Sequence, residues 1–327
     1  MKFNLFLIFA LVLTIIGCGE VKKPQEEILT VEDKLNGFWE RIGTIQTVKG
    51  MAVDTVYIKD TDPEYRQIKV FHKGNVAWID NVYDSSNDWK SGSGMYGKFK
   101  IDDNVITETI THATGGAISW LWGGGIDGVV EIDVKKEARP TPFKFSVSND
   151  LLTYDFVNDN QEGENLQNEF GENYIELWKK LPDVTPNSSK IDGIWKRTFE
   201  IQYVNNIPID TISVPNDGKL DVHFRLNGRF IYQVDNTGMS DPDDPLWFGH
   251  GGYGEYEFVD ENSIKEYGEF FSGGQYFPKR ERREEGSPFD ADSGTRNFDF
   301  YNDDLFLQTQ LDSLGNVYRG VVYGRIK

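Results

Sequence analysis

Short runs in which apolar and polar residues alternate dominate this chain, and no long run repeats every three to four residues. A two-residue period puts successive side chains on opposite faces of an extended strand, so the pattern predicts β-structure. Val53-Asp54-Thr55-Val56-Tyr57-Ile58 and Ile68-Lys69-Val70-Phe71-His72 read as strands, and Gly74-Asn75 turns the second into Val76-Ala77-Trp78-Ile79. Residues 95–101, the Asp102-Asp103-Asn104 turn and residues 105–110 predict a hairpin. Residues 143–147 and 151–156 predict another, and residues 174–180 end the set.

The pattern then starts again. Leu35-Asn36-Gly37-Phe38-Trp39-Glu40-Arg41 returns as Ile191-Asp192-Gly193-Ile194-Trp195-Lys196-Arg197. Further on, Tyr253-Gly254-Glu255-Tyr256-Glu257-Phe258 answers residues 96–101, and Asp260-Glu261-Asn262 repeats the turn. Ile264-Lys265-Glu266 repeats Ile106-Thr107-Glu108, residues 298–302 parallel 145–149, and residues 321–325 parallel 176–180. A recurrence of roughly 150 residues is the size of a domain, not of a solenoid unit of roughly 20–50 residues. We therefore expect two homologous units, 35–180 and 191–327, joined by the Pro- and Ser-bearing stretch 181–190 and folding separately. The charged stretch 279–285 has no counterpart and reads as a solvated loop.

About eight short strands per unit, with hardly any helix, predict an all-β fold of two tandem up-and-down antiparallel barrels, with a β-sandwich as the rival. Gly37-Phe38-Trp39 and Gly193-Ile194-Trp195, with Lys180 and Arg325 near the ends of the last strands, resemble the calycin superfamily of lipocalins and fatty-acid-binding proteins. More closely, Ala77-Trp78, Tyr96-Gly97, Glu108 and Glu176-Leu177-Trp178-Lys179-Lys180 resemble tandem lipocalin-like domains of Bacteroidetes lipoproteins. The resemblance implies that Lys180 lies across Trp39 and Arg325 across Trp195, although lysine replaces the customary arginine in the first unit.

The N-terminus gives the chain an expected address. Lys2, then an apolar run over residues 5–16 broken only by Thr14, reads as a secretory signal over residues 1–17. The run is too short for the roughly 20 residues of a membrane-spanning helix. It ends at Ile15-Ile16-Gly17-Cys18, which resembles a bacterial lipobox. Cys18 is the only cysteine, so a disulfide within the chain is excluded and lipid attachment there is expected. Polar residues 18–34 read as a tether. The expectation is a lipoprotein held on the membrane of a bacterial cell envelope, at the outer membrane.

Composition narrows the function. Hydrophobic residues at 38%, with 14% aromatics, exclude a chain that stays disordered. A net charge of −19 repels phosphate backbones, so no nucleic acid is expected as a partner. His72, His112, His223 and His250 show no metal-ligand spacing, and no nucleophile, P-loop or dinucleotide motif is present; no metal, cofactor or catalytic residue is expected. Trp120-Leu121-Trp122-Gly123-Gly124-Gly125 reads as an aromatic loop. Asp54-Thr55-Val56, Asp210-Thr211-Ile212 and Asp312-Ser313-Leu314 resemble the Asp-Ser/Thr-apolar O-glycosylation acceptor of Bacteroidetes, but plain strand alternation in a duplicated chain is the favoured account.

The sharper feature is a repeated carboxylate. Glu108 shares its strand face with Ile106 and Ile110, and Glu266 shares one with Ile264. Arg41 and Arg197 lie two residues after the motif tryptophans, on the tryptophans' face. A carboxylate facing a barrel interior is costly unless paired, so the expected pairs are Arg41 with Glu108 and Arg197 with Glu266. These pairs serve either as structural ion pairs or as polar anchors of a ligand cavity, with Trp78, Tyr96, Tyr232 and Tyr253 lining or filling the interior. Two functions stay open: binding of a small apolar or amphipathic ligand, or a non-catalytic protein-interaction or structural role. A wide internal cavity would favour the first; filled interiors with an exposed aromatic patch would favour the second.

Overall fold

The computed structural model describes residues 29–48, 51–62, 65–81, 83–84, 89–90, 92–115, 140–156, 173–185, 189–213, 220–235, 249–272, 295–312 and 314–327. The expected signal, Cys18, the 120–125 loop and the 279–285 stretch lie outside them. A short helix, α1 (Val31–Leu35), opens the described chain. The first unit then runs β1 (Gly37–Val48), β2 (Met51–Tyr57), the turn of helix α2 (Ile58–Thr61), β3 (Gln67–His72) and β4 (Asn75–Asp80). A two-strand ribbon, β5 (Tyr83–Asp84) and β6 (Trp89–Lys90), precedes β7 (Ser93–Asp102) and β8 (Val105–Gly115). β9 (Pro140–Ser148), β10 (Leu151–Phe156) and β11 (Asn173–Lys180) complete it. The second unit runs β12 (Gly193–Val204), β13 (Ile207–Ser213), β14 (Leu220–Leu226), β15 (Arg229–Asp235) and β16 (His250–Asp260). β17 (Ser263–Ser272), β18 (Thr295–Asn302), β19 (Leu305–Leu311) and β20 (Val317–Ile326) follow.

Each sheet is antiparallel and its last strand returns to its first, β11 to β1 and β20 to β12. Two eight-stranded up-and-down barrels result, each with one extra strand, β2 or β13, hairpinned onto the long first strand. Closure removes the sheet edges that an open eight-strand meander would leave.

Gly37 and Gly193 explain the Gly-x-Trp motif. Both adopt positive φ, 121° and 141°, a conformation that disfavours side chains, and a Cβ on Gly193 would collide with the Arg325 guanidinium. That guanidinium lies 4.0 Å from the centroid of Trp195, and Lys180 Nζ lies 5.5 Å from that of Trp39. Each indole is fully buried and donates to a carbonyl just before its strand, Leu35 O at 2.7 Å or Ile191 O at 2.6 Å. Both barrels are thus plugged at the end where the chain enters.

Residues 31–34, expected as tether, belong to α1. Thr30 and Asp33 form a reciprocal cap, and Leu35 is buried in the core of the first barrel. The linker is held as well: Leu181 N donates to Phe38 O, and Val184 N and Thr185 N donate to Asn227 O.

A third apolar layer lies between the barrels. Phe38, Ile68, Val70, Ala77, Ile79 and Tyr96 on the outside of the first barrel meet Val222, Phe224, Leu226, Ile231, Tyr253 and Phe270 on the outside of the second. Each fully buried large aliphatic or aromatic side chain contributes roughly 1.5–3 kcal/mol, so the layer is a substantial core of its own. Arg66, held by Glu40 of its own barrel at 2.6 Å, crosses it to reach Glu269, with its guanidinium over Tyr253 and Phe270. Gln233, 2% exposed, donates to Trp78 O at 3.2 Å and accepts from Thr114 at 2.9 Å. Where the sequence suggests two separately folding units, the structure joins them through a shared apolar layer.

Candidate functional site

Both glutamates face barrel interiors, but neither meets the expected arginine. Glu108 accepts from Lys69 Nζ at 3.0 Å and from the Tyr154 hydroxyl at 2.7 Å. Lys69 is carried inward by β3, one strand from Trp39, with which it is in register. Its ammonium sits 4.2 Å from the Tyr154 ring centroid and 5.2 Å from that of Trp178, with Phe143 and Phe71 at 5.7 and 5.8 Å. Ring faces attract a cation that is cut off from water, and burial together with the Glu108 charge pushes the Tyr154 hydroxyl well above its ordinary pKa, so it stays a donor. Arg41 pairs instead with Glu176 at 3.2 Å and donates to Gln67 and Thr44, both at 3.2 Å. The Trp178 indole donates to the other oxygen of Glu176 at 3.1 Å.

The second barrel places different residues at the same registers. Arg225 stands opposite Gly193, where Phe71 stands opposite Gly37. Opposite Ile264 is Arg296, where Phe143 stands opposite Ile106. His223 takes the place of Lys69, and Gln308 that of Tyr154. Glu266 therefore lies between two arginines, Arg225 Nη2 at 2.7 Å and Arg296 Nε at 3.2 Å. Burial alone would raise its pKa, but the two guanidinium charges hold it below the ordinary value.

Above this pair the interior stays charged. His223 Nε2 lies 2.7 Å from Asp221, and its ring stacks on Tyr232 at 5.4 Å. Arg197 pairs with Glu200 at 3.1 Å, and Arg319 reaches the same oxygen at 2.7 Å. Asp221 is also held ionised: burial would raise its pKa, and His223 and Arg197 outweigh it. Arg225 is 1% exposed, and its Nε and Nη1 have no hydrogen-bond acceptor; nor has Arg319 Nε.

Tyr96 and Tyr253, expected inside, point outward into the layer between the barrels, where Tyr96 meets Phe224 and Tyr253 meets Phe38. Burial pushes Tyr96 up to about 12. Trp78 and Tyr232 do point inward, packed on the two interior cores. Lys69, Tyr154, Arg225, Arg296, Asp221 and Glu176 escaped sequence reasoning. Position β3 hides Lys69 because Gln67 through Phe71 are all buried, so apolar Ile68 and Val70 read as the inner face while they serve the outer one. Register counted from the tryptophans would have found Lys69, His223, Phe71 and Arg225.

Among the described residues no group of three or more His, Cys, Asp or Glu could hold a metal. No protein-family model and no curated protein matches the chain.

Proposed function

We propose that this chain is a lipid-anchored protein of the bacterial cell envelope, built like the lipocalin-like lipoproteins it resembles, that binds a small amphipathic molecule inside its second barrel without transforming it. The reading rests on Arg225. A guanidinium 1% exposed with two nitrogens lacking an acceptor carries an unmet hydrogen-bonding demand that costs about 1–3 kcal/mol per group, and a bound polar head relieves it. Tyr232 and the Phe298–Phe306 rings supply apolar surface beside it. The first barrel, whose buried cation is already boxed by rings and a glutamate, serves as the rigid body on which the second is mounted.

Native mass spectrometry of detergent-free protein, followed by titration with dodecanoate, dodecyltrimethylammonium and dodecyl maltoside, tests this. Saturable binding of at least one amphiphile, lost in Arg225→Met, is the expected result. No binding by any of them, or binding unaffected by that substitution, overturns it.

A further inference from the structure

The two barrels differ at the end where the chain enters. In the first, α1 lies on β9, and Leu35 joins the interior core onto which Ile101 and Val147 pack. Its two apolar residues, Val31 and Leu35, are four apart, so they project from one side of the helical turn. In the second barrel Ile191 replaces Leu35, and the described chain before the first strand makes a turn instead of a helix, with Asp192 N donating to Ser189 O at 3.0 Å. The residues in register with Ile101 and Val147 are Phe258 and Phe300, both larger. Between these rings and the linker lies an open groove of about 820 Å³. Phe258, on its floor, is 40% exposed, whereas Leu35 and its neighbours shield the equivalent surface of the first barrel.

The rim sets the charge of whatever fills the groove. Asp260, Glu261 and Asp299 line it, and Lys190, whose Nζ lies 5.9 Å over Phe300, is the cation facing them. Asp260 is kept ionised by the Asn262 and Ser263 donors of its own turn. Three carboxylates against one ammonium favour a cationic occupant, and two phenylalanine faces favour an apolar one.

We propose that this groove docks a short basic amphipathic helix of a partner protein. Its shape is the one that α1 already fills in the first barrel: one or two helical turns with apolar residues four apart. Those residues seat on Phe258 and Phe300, while lysine or arginine on the flanks meets Asp260, Glu261 and Asp299. The site is separate from the interior of the barrel, and its ligand is a protein segment instead of a small molecule.

The test uses the full mature chain and a fluorescent synthetic helix with leucines four apart and flanking lysines. Its controls are the same peptide with glutamates for lysines and a scrambled peptide. The basic helix is expected to bind saturably, more weakly as salt rises, and about tenfold more weakly to Phe258→Ser and to Glu261→Lys. Glu261 is exposed in a turn, so its replacement leaves the fold intact and carries the test even if Phe258→Ser destabilises the barrel. Binding of the scrambled or acidic peptide as tightly as the basic one overturns the proposal. So does binding that Glu261→Lys leaves unchanged, or displacement of the peptide by the amphiphile that fills the barrel.

Discussion

The interiors of the two barrels share a scaffold and differ in how they treat a buried glutamate. The first gives Glu108 one cation and one hydroxyl and surrounds that cation with four rings. The second gives Glu266 two arginines and replaces Phe71, Phe143 and Tyr154 by Arg225, Arg296 and Gln308 at the same registers. The first arrangement satisfies its charges within the protein. The second leaves donors over. A duplicated fold thus keeps the costly inward carboxylate in both copies and varies only its neighbours, and those neighbours decide whether the cations beside it find all their acceptors within the protein.

The second repeated ion pair teaches the same lesson. Arg41 takes its carboxylate from the neighbouring strand, Glu176 on β11, whereas Arg197 takes Glu200 from its own strand. In register, Glu200 stands where Thr44 does, and Thr44 is itself a partner of Arg41. The arginine is retained, and its counter-charge has moved one strand across.

The largest effect expected is from taking the barrels apart. Fragments 29–185 and 189–327 would each expose one half of the layer built on Val70 and Phe224, so each alone should associate or bind a hydrophobic dye, and mixing should restore a soluble heterodimer. Two well-behaved monomers, seen by analytical ultracentrifugation, would show that the layer contributes little.

Next comes the boxed lysine. Glu108→Gln strands Lys69 among rings and should cost about 3–5 kcal/mol in denaturant unfolding, while Lys69→Met with Glu108→Leu should cost less. A double-mutant cycle on Lys69 and Glu108 should show coupling of about 1 kcal/mol or more, and one on Arg41 and Glu108, which do not pair, should be additive within about 0.5 kcal/mol. Coupling of Arg41 to Glu108 as strong as that of Lys69 would mean that Glu108 is not held by Lys69 alone.

In the second barrel, Arg225→Met removes a guanidinium whose demand is only partly met and leaves Glu266 with Arg296. Ligand-free stability should shift by no more than about 1–2 kcal/mol, a smaller loss than Glu108→Gln causes. A larger loss would mean that Arg225 is as structural as Lys69.

Acid should act on the second barrel through Glu266 and Asp221. Their folded pKa values are depressed, so the stability they contribute is present above the unfolded carboxylate range and is lost as pH falls through the folded values. Glu266→Gln should flatten that acid limb, and an unchanged limb in chemical denaturation would contradict the assignment.

The smallest effect concerns His72. Burial, with Lys73 and Arg325 beside it, brings its pKa down to about 4 from 6.5. Because the folded value is the lower one, stability is lost as pH falls from 6.5 toward 4, and His72→Gln should remove a shallow part of the slope. Arg325 belongs to the other barrel, so a slope that Arg325→Gln leaves untouched would show that the barrels do not sense each other there.

The sequence alone determined that this is a pair of antiparallel all-β units; that each closes into a barrel was decided by the return of β11 to β1 and of β20 to β12. Alternation marks the strands, the recurrence of Gly-x-Trp marks the duplication, and both signals are local, carried by residues within a few positions of one another. It also determined that Glu108 and Glu266 face inward, because a strand's two faces follow from parity. Tertiary structure decided the partners. Lys69 and Arg225 reach the glutamates across the barrel and Arg296 from the neighbouring strand, and which cation meets which carboxylate depends on strand stagger that alternation does not encode. Tertiary structure also turned Tyr96 and Tyr253 outward, since packing one barrel on the other buried both faces of β7 and β16 around them and erased the contrast between inside and outside on which parity depends.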